Sequence, residues 1–547
     1  MCSAAAEHGR GVADHGVAAV ERGSARTAAP SAFVRRDVRG RACTGPRRAA
    51  VGIVYAGGMA WATRRGLALA LVCAPACARG VSLEGSGADE TFAVTDMGTS
   101  QASTPTEPPA ETTAPETTIA DETSGTTGAD VPTSGSEGSS GGDESTTGVE
   151  GPHPELYPYD RVHSPITAFV AERMRAVAPT VDTVDARFAK IGGTTTANPN
   201  FQQCLGDDMA IMEMPPDLLA TRDFFNVDLG AGITPYTRDS MAAVAAASSA
   251  MLVAPVEAEL TAIHPRFAHV LVGTHDLASD QPAAMFTFAE NLMVIVDSLI
   301  AGGAVPILST LPQRTDMPAK TAYIPRYNAI IRGVAQGRQI PLVDLELALR
   351  TVPMSGLGPD GIDLSAFVSA MVDRPCFFNE VGLQNGYNVR NLESLVALDR
   401  AKRVVINGEE ELDAPQPGLQ GSGTVDDPFE IPGLPFVDMR TTTGAPSVID
   451  SYSGVCDAMQ DESGPEVNYH LDVDSLVNLR VLVFDPQGVD VDIHVLDNPD
   501  PSSCLKRNDK EITGPLPEGD YTIVVDTFAG DFPGGLPGEY ILVVLAE

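Results

Sequence analysis

The stretch Phe188-Ala-Lys-Ile-Gly192-Gly193-Thr194-Thr-Thr196 decides the fold. It is a short apolar, β-prone run that ends in glycines and hydroxyl side chains, as a buried strand and the loop after it do. Four similar runs follow, at residues 224–229, 269–272, 305–308 and 340–343. Helical patterns alternate with them, at residues 166–177, 238–253, 285–301, 327–336 and 391–403. This alternation predicts a three-layer α/β/α domain with a parallel, flavodoxin-like sheet at residues 153–410.

The polar residues of this domain follow the strands. Ligands of such sheets bind at the carboxyl ends of the strands. Besides the Gly193-Thr194 turn, these ends carry Gly273-Thr-His275-Asp, then Ser309-Thr-Leu-Pro312, then Gly358-Pro-Asp360-Gly-Ile-Asp363. In order and spacing these motifs resemble the SGNH (GDSL-type) hydrolase superfamily, and residues 386–391 resemble the start of the terminal helix in one esterase-like branch.

The resemblance implies an ester hydrolase, but the residues that would do the chemistry differ. Family members have Gly-Asp-Ser after the first strand, Gly-x-Asn-Asp after the third and Asp-x-x-His near the end of the domain. Here Gly193-Thr194, His275 and Asp363 stand at the nucleophile, oxyanion-hole Asn and base positions. No histidine occurs between His275 and His470. A hydroxyl needs an adjacent base to become a nucleophile, so we expect a pseudoenzyme that binds a small ester- or carbohydrate-like ligand.

Two other functions stay open. Thr194, His275 and Asp363 could form a rearranged triad, with His275 as base and Asp363 or Asp360 as its orienting carboxylate. The protein could also be purely structural at a cell surface. For the family's second oxyanion-hole block, either Gly230 or Gly232 is a candidate.

Several other polar residues of this domain have ordinary structural interpretations. We expect Asp276 and Asp344 to cap helices or brace loops, and Ser240 to lie in the first turn of a helix. We expect no cofactor and no metal site, because the cysteines lack a second Cys or His at finger-like spacing.

The last part of the chain changes to short alternating runs after a Pro- and Gly-rich linker at residues 411–423. Runs at residues 467–473, 479–484, 491–496, 521–526 and 540–545, separated by turn signals, predict an antiparallel β-sandwich at residues 424–547. The pieces at 489–494, 516–521 and 538–540 resemble bacterial pre-peptidase C-terminal domains, which are exported accessory modules. Its acidic loops could hold Ca²⁺, although we interpret them as a solvated acidic face; the residues are Asp490, Asp492, Asp497 and Asp526.

The charge and the N-terminal region indicate an exported protein. Lys and Arg number 36 against 73 Asp and Glu, a net charge of −37, so nucleic acid is a poor partner. Residues 59–77 have the basic start and short apolar run of a signal peptide, and Cys77 is a candidate lipidation site and so the expected contact with a membrane. Residues 1–58 are expected to be untranslated or disordered, and residues 78–152 form a Thr/Ser/Glu/Pro/Gly-rich linker expected to be disordered. The expected location is periplasmic, cell-surface or extracellular, and the oligomeric state is undetermined.

Four cysteines follow Cys77 and fall in pairs within the two domains. We expect disulfides between Cys204 and Cys376 and between Cys456 and Cys504, with free buried thiols as the alternative. Two disulfides would agree with export.

Overall fold

A computed structural model describes residues 154–456, 461–530 and 535–547. The expected signal peptide, the lipidation site at Cys77, the linker at 78–152 and the start at 1–58 lie outside these residues. Within them, both expected disulfides are formed, Cys204 with Cys376 and Cys456 with Cys504.

The first described domain is built from strands and helices in alternation. Its helices are α1 (Ala168–Ala176), α2 (Thr194–Ala197), α3 (Leu219–Phe225), α4 (Ser249–Ile263), α5 (Ala283–Ala301), α6 (Pro318–Thr321), α7 (Ile324–Arg338), α8 (Leu345–Leu349) and α9 (Gly386–Val405). Its strands are β1 (Val184–Gly192), β2 (Pro265–Leu271), β3 (Val305–Ser309) and β4 (Leu342–Val343), with a small hairpin of β5 (Val368–Ser369) and β6 (Val372–Asp373).

Strands β1 to β4 form one parallel sheet in the order β1-β2-β3-β4. All residues of β2 and β3 are buried, as expected for a sheet that is covered on both faces. The fold class predicted from the sequence is therefore confirmed. The terminal helix α9 begins at Gly386, where the resemblance placed it.

Two predicted elements are wrong. Residues 224–229 are not a strand, because Phe224 and Phe225 end helix α3, where Phe225 packs edge-on against Phe188 and Phe267. Residues 238–248 are not helical, and helix α4 begins only at Ser249. Ser240 consequently lies in an irregular segment, not in a first helical turn.

Helix α5 is long and apolar enough to cross a membrane by length and composition alone. Its inward side is buried in the domain core, which includes Phe288, Leu292, Ile295 and Leu299. Burial within the folded domain therefore accounts for its apolar composition.

The C-terminal domain is an antiparallel sandwich, as predicted. Its strands are β7 (Phe429–Glu430), β8 (Phe436–Thr441), β9 (Glu466–Val473), β10 (Val477–Phe484), β11 (Val491–Leu496), β12 (Cys504–Asn508), β13 (Glu511–Leu516), β14 (Gly519–Thr527) and β15 (Glu539–Ala546). They form two sheets, in the orders β13-β10-β15-β8 and β12-β11-β14-β9-β7. Among the strands that the structure describes in this domain, only the short β7 runs parallel to its neighbour, β9.

The acidic residues of the sandwich are not all on a solvated face. Asp526 is fully buried and accepts a hydrogen bond from the Tyr452 hydroxyl at 2.7 Å. Asp492 is buried and pairs with Arg507 at 2.9 Å. Among the described residues, no group of three or more His, Cys, Asp or Glu side chains is arranged to hold a metal ion.

The sandwich packs directly on helix α7. Gly333 and Gly337 lie one turn apart on α7, and an added Cβ on them would be 2.8 Å from Ile541 Cγ2 and 2.6 Å from Met439 Cβ. Gln336 donates a hydrogen bond to the Val437 carbonyl at 3.0 Å. The face of sheet β13-β10-β15-β8 that points away from the second sheet of the sandwich is thus part of the same hydrophobic core as the α/β domain.

Candidate functional site

The carboxyl ends of β1 and β2 bring Thr194 and His275 into contact. Thr194 is the first residue of α2, and His275 lies four residues beyond the end of β2. Oγ1 of Thr194 and Nε2 of His275 are hydrogen-bonded at 3.1 Å. Both side chains are partly exposed. Thr194 and His275, which the sequence resemblance placed at the nucleophile and Asn positions, therefore lie close enough for proton transfer between them.

The turn from β1 into α2 depends on glycine. An added Cβ on Gly192 would be 2.3 Å from the Leu271 carbonyl oxygen and 2.4 Å from Thr196 Oγ1. At Gly193, where the family has Asp, an added Cβ would be 3.3 Å from the Ala247 carbonyl oxygen. A side chain at Gly192 would therefore overlap the Leu271 carbonyl, whereas at Gly193 the Ala247 carbonyl would have to move by only a few tenths of an ångström.

A third group at the site is a backbone amide that the sequence did not indicate. The N–H of Ala246 donates to Thr194 Oγ1 at 2.9 Å. The segment before it lies along the end of β1, with hydrogen bonds from Gly192 N to Ala242 O at 2.9 Å and from Val244 N to Gly192 O at 3.0 Å. Ala246 adopts a φ of 60°, a conformation usual for glycine and uncommon for alanine. A search for glycine therefore misses it.

The glycines proposed for the second oxyanion-hole block are placed elsewhere. The N–H groups of Gly230 and Gly232 both donate to Asp228 Oδ1, at 2.8 and 3.1 Å, in an exposed turn. Their amides are thus committed to that turn. The amide that reaches Thr194 is instead supplied by Ala246.

The surroundings of His275 favour the neutral form of its ring. Burial, and next the positive charge of Arg314, lower the pKa of His275 against the opposing effects of Asp276 and Asp363. Arg314 is held in place by a hydrogen bond to the Thr274 carbonyl at 2.6 Å and by two bonds to Asp316. A neutral ring can accept a proton at Nε2, but the same environment disfavours the imidazolium that results.

Asp363 lies near His275 without a hydrogen bond to it. Burial and the neighbouring Asp360 raise the pKa of Asp363, while His275 and Arg314 act in the opposite direction. Its Oδ1 is buried and has no hydrogen-bond partner among the described residues. Asp360 is exposed, and its Oδ1 accepts from the amides of Ile362 and Asp363 at 3.1 Å each. Neither carboxylate orients the imidazole by a direct bond.

Asp276 and Asp344, which were expected to cap helices or brace loops, both bond to the starts of helices. Asp276 accepts from the Ser249 N–H and hydroxyl, at 2.9 and 2.6 Å, and so caps the start of α4. Asp344 accepts from the Leu347 N–H at 3.1 Å at the start of α8. Their carboxylates are therefore engaged at helix starts.

Below α2, Arg390 of α9 supports the helix that carries Thr194. Its Nη1 donates to Thr195 O at 2.7 Å and its Nη2 to Thr196 Oγ1 at 2.8 Å. The guanidinium stacks on the Phe201 ring, 3.7 Å from its centroid. This buried contact fixes α2 against the domain core.

Among solved structures, the chain is similar to GDSL-type hydrolases and to one accessory domain. It is 16% identical to a GDSL-like lipase from Bacteroides thetaiotaomicron VPI-5482, over 43% of this chain and 98% of that chain, with a TM-score of 0.25. It is 13% identical to a catalytic mutant of an acetylxylan esterase from Geobacillus stearothermophilus, over 40% and 96%, with a TM-score of 0.27. It is 17% identical to the pre-peptidase C-terminal domain of a collagenase from Bacillus anthracis, over 21% and 91%, with a TM-score of 0.15.

No family model and no curated protein matches the chain. The strand order and the helices on both faces define an α/β domain with a parallel sheet, followed by an antiparallel β-sandwich. At these identities and TM-scores the similarities carry no statement about activity.

Proposed function

We propose that this is an exported SGNH-hydrolase-like protein that binds a small ester- or carbohydrate-like ligand at the carboxyl edge of its parallel sheet without cleaving it. The observation that carries this proposal is the set of hydrogen bonds that the His275 ring makes. It contacts Thr194 Oγ1 at 3.1 Å, but no carboxylate among the described residues is hydrogen-bonded to its ring. Export is supported by the two disulfides, which are typical of oxidising compartments.

The missing orienting carboxylate is a large loss for catalysis. In a triad, the carboxylate fixes the tautomer of the base and stabilises the imidazolium that forms, and removing its charge costs about 10⁴-fold in kcat. Here Asp363 is near His275 but has a raised pKa and no bond to it. The positive Arg314 additionally disfavours the imidazolium. Proton transfer from Thr194 is therefore poorly supported.

The groups that remain suit binding. The Ala246 amide, the Thr194 hydroxyl and the neutral His275 ring converge on one point. Such a set can donate to and accept from a carbonyl or hydroxyl group of a ligand. Carbonyl and hydroxyl groups are what esters and sugars present.

One observation favours a second function, an active ester hydrolase. If the Thr194 hydroxyl donates to His275 Nε2, the Ala246 amide still stabilises the oxygen, and the pair has the nucleophile–base contact that acyl transfer needs. In this case His275 is the base and Asp363 acts on it only through space.

An assay for hydrolysis of 4-nitrophenyl acetate and butyrate by the purified protein distinguishes the ligand-binding function from the ester hydrolase. We expect no turnover above background, either in the wild-type protein or in His275→Ala. As a matched control, His470→Ala removes an imidazole of the sandwich that pairs with Glu430. Turnover that is lost in His275→Ala and kept in His470→Ala would establish the enzyme and refute the binding proposal.

Binding is measured by calorimetry with methyl butyrate and with an acetylated methyl glucoside. We expect saturable binding of one of these that weakens in His275→Ala and in Thr194→Ala. Absence of binding, together with absence of turnover, would favour a structural role for the domain.

A further inference from the structure

A polar cavity of about 100 Å³ lies beside α2, separate from the contact of Thr194 with His275. Its lining includes Lys190 of β1, Thr196 of α2, Asn198 after it, and Arg238, Asp239 and Ser240 from the irregular segment before α4. A water molecule occupies about 30 Å³ in the liquid. The cavity therefore has space for a guest of a few heavy atoms.

Lys190 is the most deeply buried cation of this lining. Only 4% of it is exposed, and its Nζ donates to the Tyr236 carbonyl at 2.9 Å. Within the described residues, no carboxylate is hydrogen-bonded to this ammonium. An ammonium group has three donors, so two remain for a guest in the cavity.

The charges around Lys190 leave an excess of positive charge. Arg238 is paired with the buried Glu259 through two hydrogen bonds, so these two cancel. Asp239 also lines the cavity and acts on Lys190, but its side chain is exposed and its charge is therefore partly screened by solvent. Arg390 is buried and donates to neutral acceptors in α2. The interior beside α2 thus carries the charges of Lys190 and Arg390 against a single solvated carboxylate.

Neighbouring polar groups do not remove this excess. His269 faces Lys190 across the β1–β2 pair and is buried, and its Nε2 has no partner among the described residues. Burial, Arg390 and Lys190 lower the pKa of His269 to about 3, so the ring is neutral. The side-chain amide of Gln202, next to the cavity residue Gln203, is fully buried and also lacks partners in the described part of the chain.

We propose that this cavity is a binding site for a small carboxylate of acetate size, held by the ammonium of Lys190. A buried cation is stabilised by a paired anion and destabilised without one. Among the other lining residues, Thr196, Ser240 and Asn198 supply hydroxyl and amide groups that suit the second oxygen of a carboxylate. The proposal is independent of the function assigned to Thr194 and His275.

The protonation of Lys190 makes the site sensitive to pH. Burial lowers the pKa of Lys190 to about 8; Arg238 and Arg390 act in the same direction, and Asp239 and Glu259 oppose them. A bound carboxylate favours the charged ammonium and so raises this pKa. Binding is consequently strong where Lys190 is charged, weakens as the pH rises above the pKa of the free protein, and levels off above the higher pKa of the bound form.

Titration of the full-length protein with sodium acetate at constant ionic strength, followed by calorimetry and by the line width of [¹³C]acetate, tests the site. We expect saturable binding at pH 7 that is at least tenfold weaker in Lys190→Met. Lys320→Met is the matched control, since Lys320 donates to the Ser279 carbonyl away from the cavity and its loss removes the same charge. Equal affinity in Lys190→Met, or no saturation in the wild-type protein, would overturn the proposal.

Two further measurements keep the test decisive if Lys190→Met does not fold. In the wild-type protein, we expect acetate affinity to fall by up to tenfold per pH unit once Lys190 is deprotonated; a flat profile between pH 7 and pH 10 would contradict the assignment. Inorganic phosphate is titrated in parallel. Binding of phosphate without binding of acetate would show that the class of ligand is wrong.

Discussion

Glu259→Gln tests how the Ala246 amide is kept at Thr194. The two carboxylate oxygens of Glu259 pair with Arg238 at 2.5 and 2.8 Å, and Oε2 also accepts from the Met241 N–H at 2.8 Å. The side chain of Glu259 is fully buried and that of Arg238 is 17% exposed. Removing one partner of a buried pair costs about 3–5 kcal/mol, because it leaves an uncompensated charge. Since Arg238 keeps some contact with water, we expect a loss of about 3 kcal/mol in the free energy of unfolding.

The loss is measured by equilibrium unfolding in urea with the disulfides intact. Glu346→Gln is the matched control, because Glu346 pairs with the exposed Arg350 one turn away on the chain; such pairs contribute about 0.3–0.5 kcal/mol. We also expect faster hydrogen exchange of the Ala246 amide in Glu259→Gln, since the ion pair anchors the segment that leads to it. A loss no greater than that of the control would refute the reasoning.

Two further predictions concern stability. Gly192→Ala places a methyl group 2.3 Å from the Leu271 carbonyl oxygen. We therefore expect the free energy of unfolding in urea to fall by about 3 kcal/mol. Gly418→Ala is the control, and we expect little change there because the added carbon meets nothing within 4 Å. Burial, and next Asp492, raise the pKa of Glu462 from 4.5 to about 7. A carboxyl group whose pKa is raised in the folded state stabilises that state at low pH. As the pH rises from 4.5 to 7, the free energy of unfolding of the wild-type protein should therefore fall by about 3 kcal/mol more than that of Glu462→Gln. Parallel pH profiles of the free energy of unfolding in the two proteins would contradict this.

The central strands and most of the helices between them were predictable because burial on both faces leaves a simple pattern. Strands β2 and β3 are buried throughout, and their sequences are mostly apolar, although β2 also contains Arg266 and His269. Residues 224–229 have a similar composition but end a helix, because Phe225 fills the core beside Phe188 from α3. A short apolar run does not distinguish a strand from a buried helix end.

The candidate site was predictable only in part. The positions of Thr194 and His275 follow from strand order, since consecutive parallel strands end at the same edge of the sheet. The role of Ala246 depends on a backbone φ of 60° and on an amide, and neither is encoded by its side chain. The orientation of Asp363 depends on the path of a long loop, which local sequence does not determine.

The contact between Thr194 and His275 is not sufficient evidence of catalysis, because the same contact serves a binding site. An acyl-transfer enzyme must stabilise two charges that appear together, an oxyanion and an imidazolium. Here the Ala246 amide donates to Thr194 Oγ1, the attacking oxygen itself, and the burial of His275 and the charge of Arg314 oppose the imidazolium. A ligand that brings a neutral carbonyl or hydroxyl group creates neither charge, so the electrostatics that impede hydrolysis leave binding unimpaired. This asymmetry is the physical reason to look first for a ligand of this domain, and only then for a substrate.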